Sequence, residues 1–305
     1  MHQSSGRWRL GLGLSLVTVF LWGVLPLALT VTLQVLDVYT IVWFRFLTAF
    51  LLLAIYLFVK KKLPTLAELR ATSWQLLVVA TIFLAANYFL FMQGLAFTAP
   101  ANAEVIIQLS SVLLSFGGLV IFHERYTLYQ WLGVGILASG FALFFHAQLA
   151  TIITAKGQYL LGSGLLVLGA VAWAIYALSQ KQLLQSLSSA KIMLIIYGGC
   201  ALLFTPLAKI NTIFTLDNFH FTTLVFCAFN TLIAYGAFAE SLEHWQASRV
   251  SAVIALAPII TLFSGWLMSA IAPNIISHEQ ISLLGILGAF LVVLGSISIT
   301  LGKAH

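Results

Sequence analysis

The chain has 305 residues, of which 61% are apolar and only 7% charged, with a net charge of +6. A soluble domain exposes roughly 25% charged residues to water, so this composition excludes a soluble fold and names a bilayer as the solvent. The basic excess sits at the ends of apolar runs, where it reads as a topology signal rather than a nucleic-acid footprint.

A membrane-crossing helix needs about 20 apolar residues, and ten such stretches are expected. The first, Leu10–Leu33, follows Arg7 and Arg9. It is too long for the roughly 7–15-residue apolar core of a secretion signal. One of its faces carries Ser15, Thr18, Trp22 and Pro26. Pro26 removes a backbone hydrogen bond and is expected to kink the helix near mid-membrane. The second stretch, Tyr39–Val59, holds Arg45, a charge that costs at least about 2.5 kcal/mol at mid-membrane unless paired or snorkelled. The third, Trp74–Gly94, brings Asn87 and Tyr88.

The fourth, Ala101–Phe122, sets Glu104, Gln108, Ser111, Ser115 and Gly118 on one helical face. Such a stripe lines a pathway or packs small residues against a neighbour, and the bulk of Glu104 and Gln108 favours the pathway. Leu128–Phe145 completes a first set of five. The second set is Tyr159–Leu178, Lys191–Leu207, Phe221–Leu242, Ser248–Ile271 and Ile281–Leu301. It contributes Trp173, Tyr176 and Gln180, then Asn230 and Tyr235, then the helix-breaking Pro258. The two cysteines, Cys200 and Cys227, lie inside apolar runs and are read as buried side chains.

The order of features repeats. Gly11-Leu12-Gly13-Leu14 precedes Trp22 as Gly162-Ser163-Gly164-Leu165 precedes Trp173. His123-Glu124 leads to Gly133 and Gly140 as His278-Glu279 leads to Gly288 and Gly295. Between these, Tyr88, Phe91 and Gly118 fall on Tyr235, Phe238 and Gly265, and Ser111 falls on Pro258. Five spans per repeat is an odd number, so residues 151–305 are expected to enter the membrane inverted relative to residues 1–150. Inverted repeats are a recurrent device of secondary transporters. With both termini cytoplasmic, only Lys156 and Lys209 fall outside, apart from Arg45 within a span. Arg7, Arg9, Lys60, Lys61, Lys62, Arg70, Arg125, Lys181, Lys191, Arg249 and Lys303 then fall inside.

Arg45 and Glu104 sit at similar depth, either as a packing ion pair or as an external gate and solute anchor. Glu240 and Arg249 bracket a short turn as an inner counterpart. No catalytic set is evident. His123-Glu124 lacks the second histidine of a zinc-protease helix, and neither metal-ligand spacing nor a phosphate loop occurs.

The chain resembles the EamA family of the drug/metabolite transporter superfamily over essentially its whole length. The resemblance rests on Trp22-Gly23, Arg45, Gly94-Leu95, Ile107-Gln108-Leu109-Ser110-Ser111 and Phe122-His123-Glu124-Arg125. It continues through Gln130-Trp131-Leu132-Gly133, Trp173-Ala174-Ile175-Tyr176 and Pro258. It implies an all-α, ten-helix, multi-pass carrier of the bacterial cytoplasmic (inner) membrane that works by alternating access. It also implies export of an amino-acid-like or drug-like metabolite, in some relatives with proton coupling; from the residues themselves no cofactor or metal is expected. Ser111 stands where many relatives have proline, which implies a straighter fourth helix.

The expected solute site lies near the midplane between the repeats, with Trp22, Asn87, Tyr88, Gln108, Trp173, Tyr176 and Tyr235 around it. Glu104 is the candidate for proton coupling, a role that fails if it is locked to Arg45. Two other readings stand beside the transporter. An intramembrane enzyme on a lipid-linked substrate needs carboxylates or histidines clustered at one interface. A scaffold or receptor predicts no stabilisation by any solute.

Overall fold

The computed structural model describes residues 6–98, 100–122, 126–144, 146, 157–271 and 282–301. His123, Glu124, Arg125, Lys156, His278, Glu279 and Lys303 lie outside the described residues, as does the side chain of Ser115. Every regular element among the described residues is helical. In chain order they are α1 (Trp8–Thr32), α2 (Val38–Val59), α3 (Leu66–Ala71), α4 (Trp74–Phe97), α5 (Pro100–Ile107), α6 (Leu109–Ile121) and α7 (Leu128–Phe144). The second half holds α8 (Gln158–Leu183), α9 (Ser189–Phe204), a 3-10 turn (Ile210–Thr215), α10 (Asn218–His244), α11 (Ala247–Ile254), α12 (Ala257–Ile271) and α13 (Leu283–Leu301).

Capping residues start the helices. Asp37 accepts from the Thr40 amide, Ser73 from Leu76 and Asp217 from His220. Among the described residues six apolar segments are long enough to cross a bilayer: α1, α2, α4, α8, α10 and the run Ala247–Ser269. Large apolar side chains face outward along them, with Phe58 71% and Phe20 60% exposed. Such a surface is stable in lipid and not in water.

Two segments are not continuous helices. The ninth is broken between α11 and α12, where Pro258 in the first turn of α12 cannot donate to the carbonyl of Ile254. The fourth is interrupted at Gln108, between α5 and α6. The straight helix implied by Ser111 is thus corrected: the interruption occurs without a proline, three residues earlier. Pro26, by contrast, sits inside an α1 that runs unbroken from Trp8 to Thr32. Two short elements had no counterpart among the expected spans, α3 and the 3-10 turn, and α8 continues five residues beyond its expected end at Leu178.

Helices at the same place in the two halves pack on each other antiparallel. Gly133 of α7 lies against Gly295 and Ser298 of α13, and Gly140 lies against Gly288 and Val292. As α7 advances, α13 recedes. The same holds for α2 and α9, where Trp43 donates to Thr205 and Phe50 lies on Gly198. The remaining close pairs exchange when the halves are swapped: α4 rests on α8, and α10 on α1. Lipid tails are as apolar as leucine, so these contacts hold by close packing and interhelical hydrogen bonds. Asn87 Nδ2 donates to the Gly169 carbonyl at 3.0 Å, Asn230 Nδ2 to Leu21 at 2.6 Å and Thr261 Oγ1 to Gly23 at 2.7 Å. Each such bond contributes about 0.6 kcal/mol on average.

At one end of the bundle α3 ties the halves together. Thr65 and Glu68 form a capping box, and Lys191 at the start of α9 donates to Glu68 at 2.5 Å. The Lys191 bond and the two Thr65 contacts lower the Glu68 carboxyl from 4.5 to about 2. Because the folded value is depressed, the stabilisation is present above about pH 4.5 and lost as pH falls towards 2. The Glu68 side chain is 37% exposed, so solvent screens the pair and the effect is small. Thermal unfolding of Glu68→Gln should therefore fall slightly below wild type at pH 7, and the gap should close on acidification through that window.

Candidate functional site

A cavity lies between the two halves, with about 650 Å³ of space between its atoms including its open mouth. Its walls come from α1, α2, α4, the interrupted fourth segment, α8, α10 and both pieces of the broken ninth segment. Helix α1 supplies Trp22, Leu25, Pro26 and Leu29. The fourth segment supplies Glu104, Ile107, Gln108, Ser110 and Ser111 around its interruption, and the ninth contributes Ile254 and Ala257 on either side of its break. Interrupted helices meeting at a cavity are the usual place for irregular backbone at membrane depth.

Arg45 is 2% exposed and lines this cavity. Its Nε donates to Thr231 Oγ1 at 2.9 Å, and its Cζ lies 4.5 Å from the centre of the Tyr88 ring. That cation–π contact is worth up to about 2 kcal/mol when desolvated. Glu104, 5% exposed, lines the same cavity. Among the described residues no carboxylate stands within ion-pair distance of Arg45, so Arg45 and Glu104 are not locked together. The cavity thus holds one cation and one carboxyl group, each with hydrogen-bonding capacity left over.

Aromatic rings form much of the wall. Trp22 stands edge-on to Trp173 at 5.6 Å and to Tyr235 at 4.9 Å, and Tyr88 lies 5.3 Å from Tyr235. Such pairs prefer tilted and edge geometries. Trp22 Nε1 is buried and finds no acceptor among the described residues. An unmet donor costs about 1–3 kcal/mol, a cost that an acceptor on a bound solute would remove. Asn87 lines the cavity while its amide holds α4 to α8, and Ser111 Oγ donates to Gln108 Oε1 at 3.4 Å.

Six of the seven residues expected around the solute line this cavity, together with Arg45, Glu104 and Pro26. The seventh, Tyr176, does not reach it. Tyr176 is fully buried behind Trp173 and Tyr235, and its hydroxyl donates to Met193 Sδ at 3.4 Å. With Phe238 it forms a packed aromatic layer that closes one side of the cavity. Pro258 shapes the site by breaking the ninth segment and does not line it. Among the described residues Glu240 does not meet Arg249: it accepts from Ser189 Oγ and lies 3.4 Å from His244 Nε2. Phe91, Ile107 and Thr231 belong to the site without having been expected there. The apolar two carry no signal in a chain rich in such residues, whereas Thr231 is a polar group deep in an apolar run and is detectable in principle.

The profile of the EamA-like transporter family matches residues 9–146 and again residues 160–301. The protein named uncharacterized inner membrane transporter YhbE, from Escherichia coli K12, is 39% identical over 303 residues, covering 99% of this chain and 94% of its own. An uncharacterized transporter from Haemophilus influenzae is 35% identical over 293 residues, covering 96% and 95%. A solved crystal structure with 16% identity superposes with a TM-score of 0.73 over 96% of this chain and 98% of its own, which bears on the fold alone.

Proposed function

The chain belongs to the EamA-like transporter family, and from that premise we propose that it is a secondary active exporter of a small organic solute working by alternating access. It is a multi-pass membrane transporter of the bacterial inner membrane, as its relatives are named. In this reading ten spans form two inverted units, residues 1–150 and 151–305, with both termini cytoplasmic. The packed layer of Tyr176 and Phe238 then closes the cytoplasmic side of the cavity, and the solute is released outward.

One observation carries the reading: Arg45 and Glu104 face a single aromatic-walled cavity without engaging each other. A cation and a carboxyl group held apart suit an amino-acid-like or drug-like solute that bears a ring and complementary polar ends. Arg45 anchors the anionic end and Glu104 the cationic end. Trp22, Tyr88, Trp173 and Tyr235 take the apolar body, and Asn87 and Gln108 supply hydrogen bonds. Tyr176 acts through the ring layer behind them.

A thermal-shift screen against amino acids, nucleobases and organic cations tests this. A ligand of the folded state at 100 times its Kd adds about 2.7 kcal/mol, so the matching chemical class should raise the unfolding temperature in a dose-dependent way. Gln108→Ala and Trp173→Ala should each abolish that shift while unfolding cooperatively. No shift with any class would move the weight to a scaffold or receptor.

Proton coupling through Glu104 makes a separate prediction. If Glu104 carries the proton, Glu104→Gln should flatten the pH dependence of transport in proteoliposomes. An unchanged pH profile would remove that role and leave Glu104 as a solute contact alone.

A further inference from the structure

A second cavity lies apart from the solute site, between α6, α7, α11 and α13. It has about 490 Å³ of space between its atoms, its mouth included. Its wall on α7 runs from Trp131 through Val134 and Leu137 to Phe141. At about 1.5 Å per residue, that stretch covers roughly 15 Å, half of a hydrocarbon core about 30 Å thick. In the orientation proposed above, it reaches from about one turn inside the cytoplasmic boundary to just past the midplane. This is the extent of one acyl chain of one leaflet.

The lining is suited to such a chain and to little else. Phe116 and Leu119 of α6 face Ala252 and Ala255 of α11 across it. Its two serines are already engaged: Ser251 Oγ donates to the Ser111 carbonyl, and Ser111 Oγ bonds to Gln108. A water needs two to four polar partners, which these walls do not offer. An empty void would forfeit dispersion contacts along its whole lining. Val112, Phe116 and Trp131 stand half-exposed at the rim, where the surroundings at that depth are lipid. At the boundary end Tyr126 and Trp131 lie edge to face at 5.4 Å, the aromatic placement of a membrane interface.

We propose that this cavity binds one acyl chain of a cytoplasmic-leaflet phospholipid. The proposal rests on the orientation stated under the proposed function and is independent of which solute is carried. The tip of the chain abuts the Ser111–Ser251 contact, where the two interrupted segments touch. Ser111 also lines the solute cavity, so the lipid packs behind the wall of the transport site.

The test is native mass spectrometry of purified wild type after equilibration with mixed phosphatidylethanolamine and phosphatidylglycerol micelles and extensive detergent washing. One retained phospholipid per chain is expected. Ala255→Phe fills the deep end and Val134→Phe the middle, and each should lose that lipid while unfolding cooperatively. If wild type retains no lipid, or a folded filled variant retains as much as wild type, the proposal is overturned. The thermal-shift response to solute is read on the same samples: its persistence with the lipid lost separates this site from the transport site. Failure of the solute screen with lipid retained would strike the transporter reading alone.

Discussion

Replacing Arg45 by methionine is expected to weaken solute binding about 10- to 150-fold, because a hydrogen bond to a charged group is worth about 1.5–3 kcal/mol. The substitution preserves much of the side-chain volume and removes the one cation that lines the cavity among the described residues. It leaves no partner stranded, since Thr231 Oγ1 also donates to the Cys227 carbonyl at 2.9 Å. A buried guanidinium without a counter-ion is costly, so the variant should unfold at a temperature equal to or above that of wild type. This split, lower affinity with undiminished stability, separates a solute anchor from a structural cation. Arg45→Lys should fall between the two, because lysine keeps the charge and loses the planar fork that rests on Tyr88. Titration of each variant by calorimetry with the solute found in the screen gives the answer. Unchanged affinity in Arg45→Met would make Arg45 a packing element and remove the proposed anchor for an anion.

The site was legible where chemistry departs from the lipid background. Arg45, Glu104, Gln108 and Asn87 stand out because polar groups at membrane depth must face an interior or one another. The aromatic positions Trp22 and Trp173 became visible through the repeat, which puts them at equivalent places in the two halves. Apolar lining such as Phe91 and Ile107 is invisible by the same logic, since nothing distinguishes it from the residues that face lipid. Depth along a helix was readable and rotation around it was not. Tyr176 lies one turn from Trp173, yet it points into the layer behind the cavity.

The two helix breaks divide along the same line. Pro258 announces its own interruption through a missing N–H. The one at Gln108 comes from no special residue and became apparent only in the folded bundle, beside the Ser251 contact to Ser111. The short helix α3 was hidden for another reason: six amphipathic residues are too few for a periodic signal, although the Thr65–Glu68 capping pattern marks its start.

The α7–α13 crossing makes the largest expected change in stability. A Cβ placed on Gly288 would lie 2.2 Å from the Phe144 amide nitrogen and 2.6 Å from its Cα. One on Gly295 would lie 2.5 Å from the Leu137 nitrogen. These neighbours are backbone atoms, so no side-chain rotation relieves the clash and the helices must separate. Overpacking of this kind costs about 1–3 kcal/mol and sometimes more, and separation also forfeits the close approach that drives association in lipid. Gly288→Val should therefore lower the unfolding temperature by several degrees or abolish recovery of folded protein. Gly288→Ala should do the same in milder form.

Gly135 is the control on the same helix, since a Cβ there meets nothing within 4 Å. Gly135→Ala should be neutral or stabilising by up to about 1 kcal/mol, because alanine is the better helix former. The crossing lines no part of the solute cavity, so the folded fraction of Gly288→Ala should bind solute as wild type does. Equal thermal unfolding of Gly288→Val and wild type would mean that the two fifth helices do not meet at these glycines, and the antiparallel pairing of the halves would lose its closest contact.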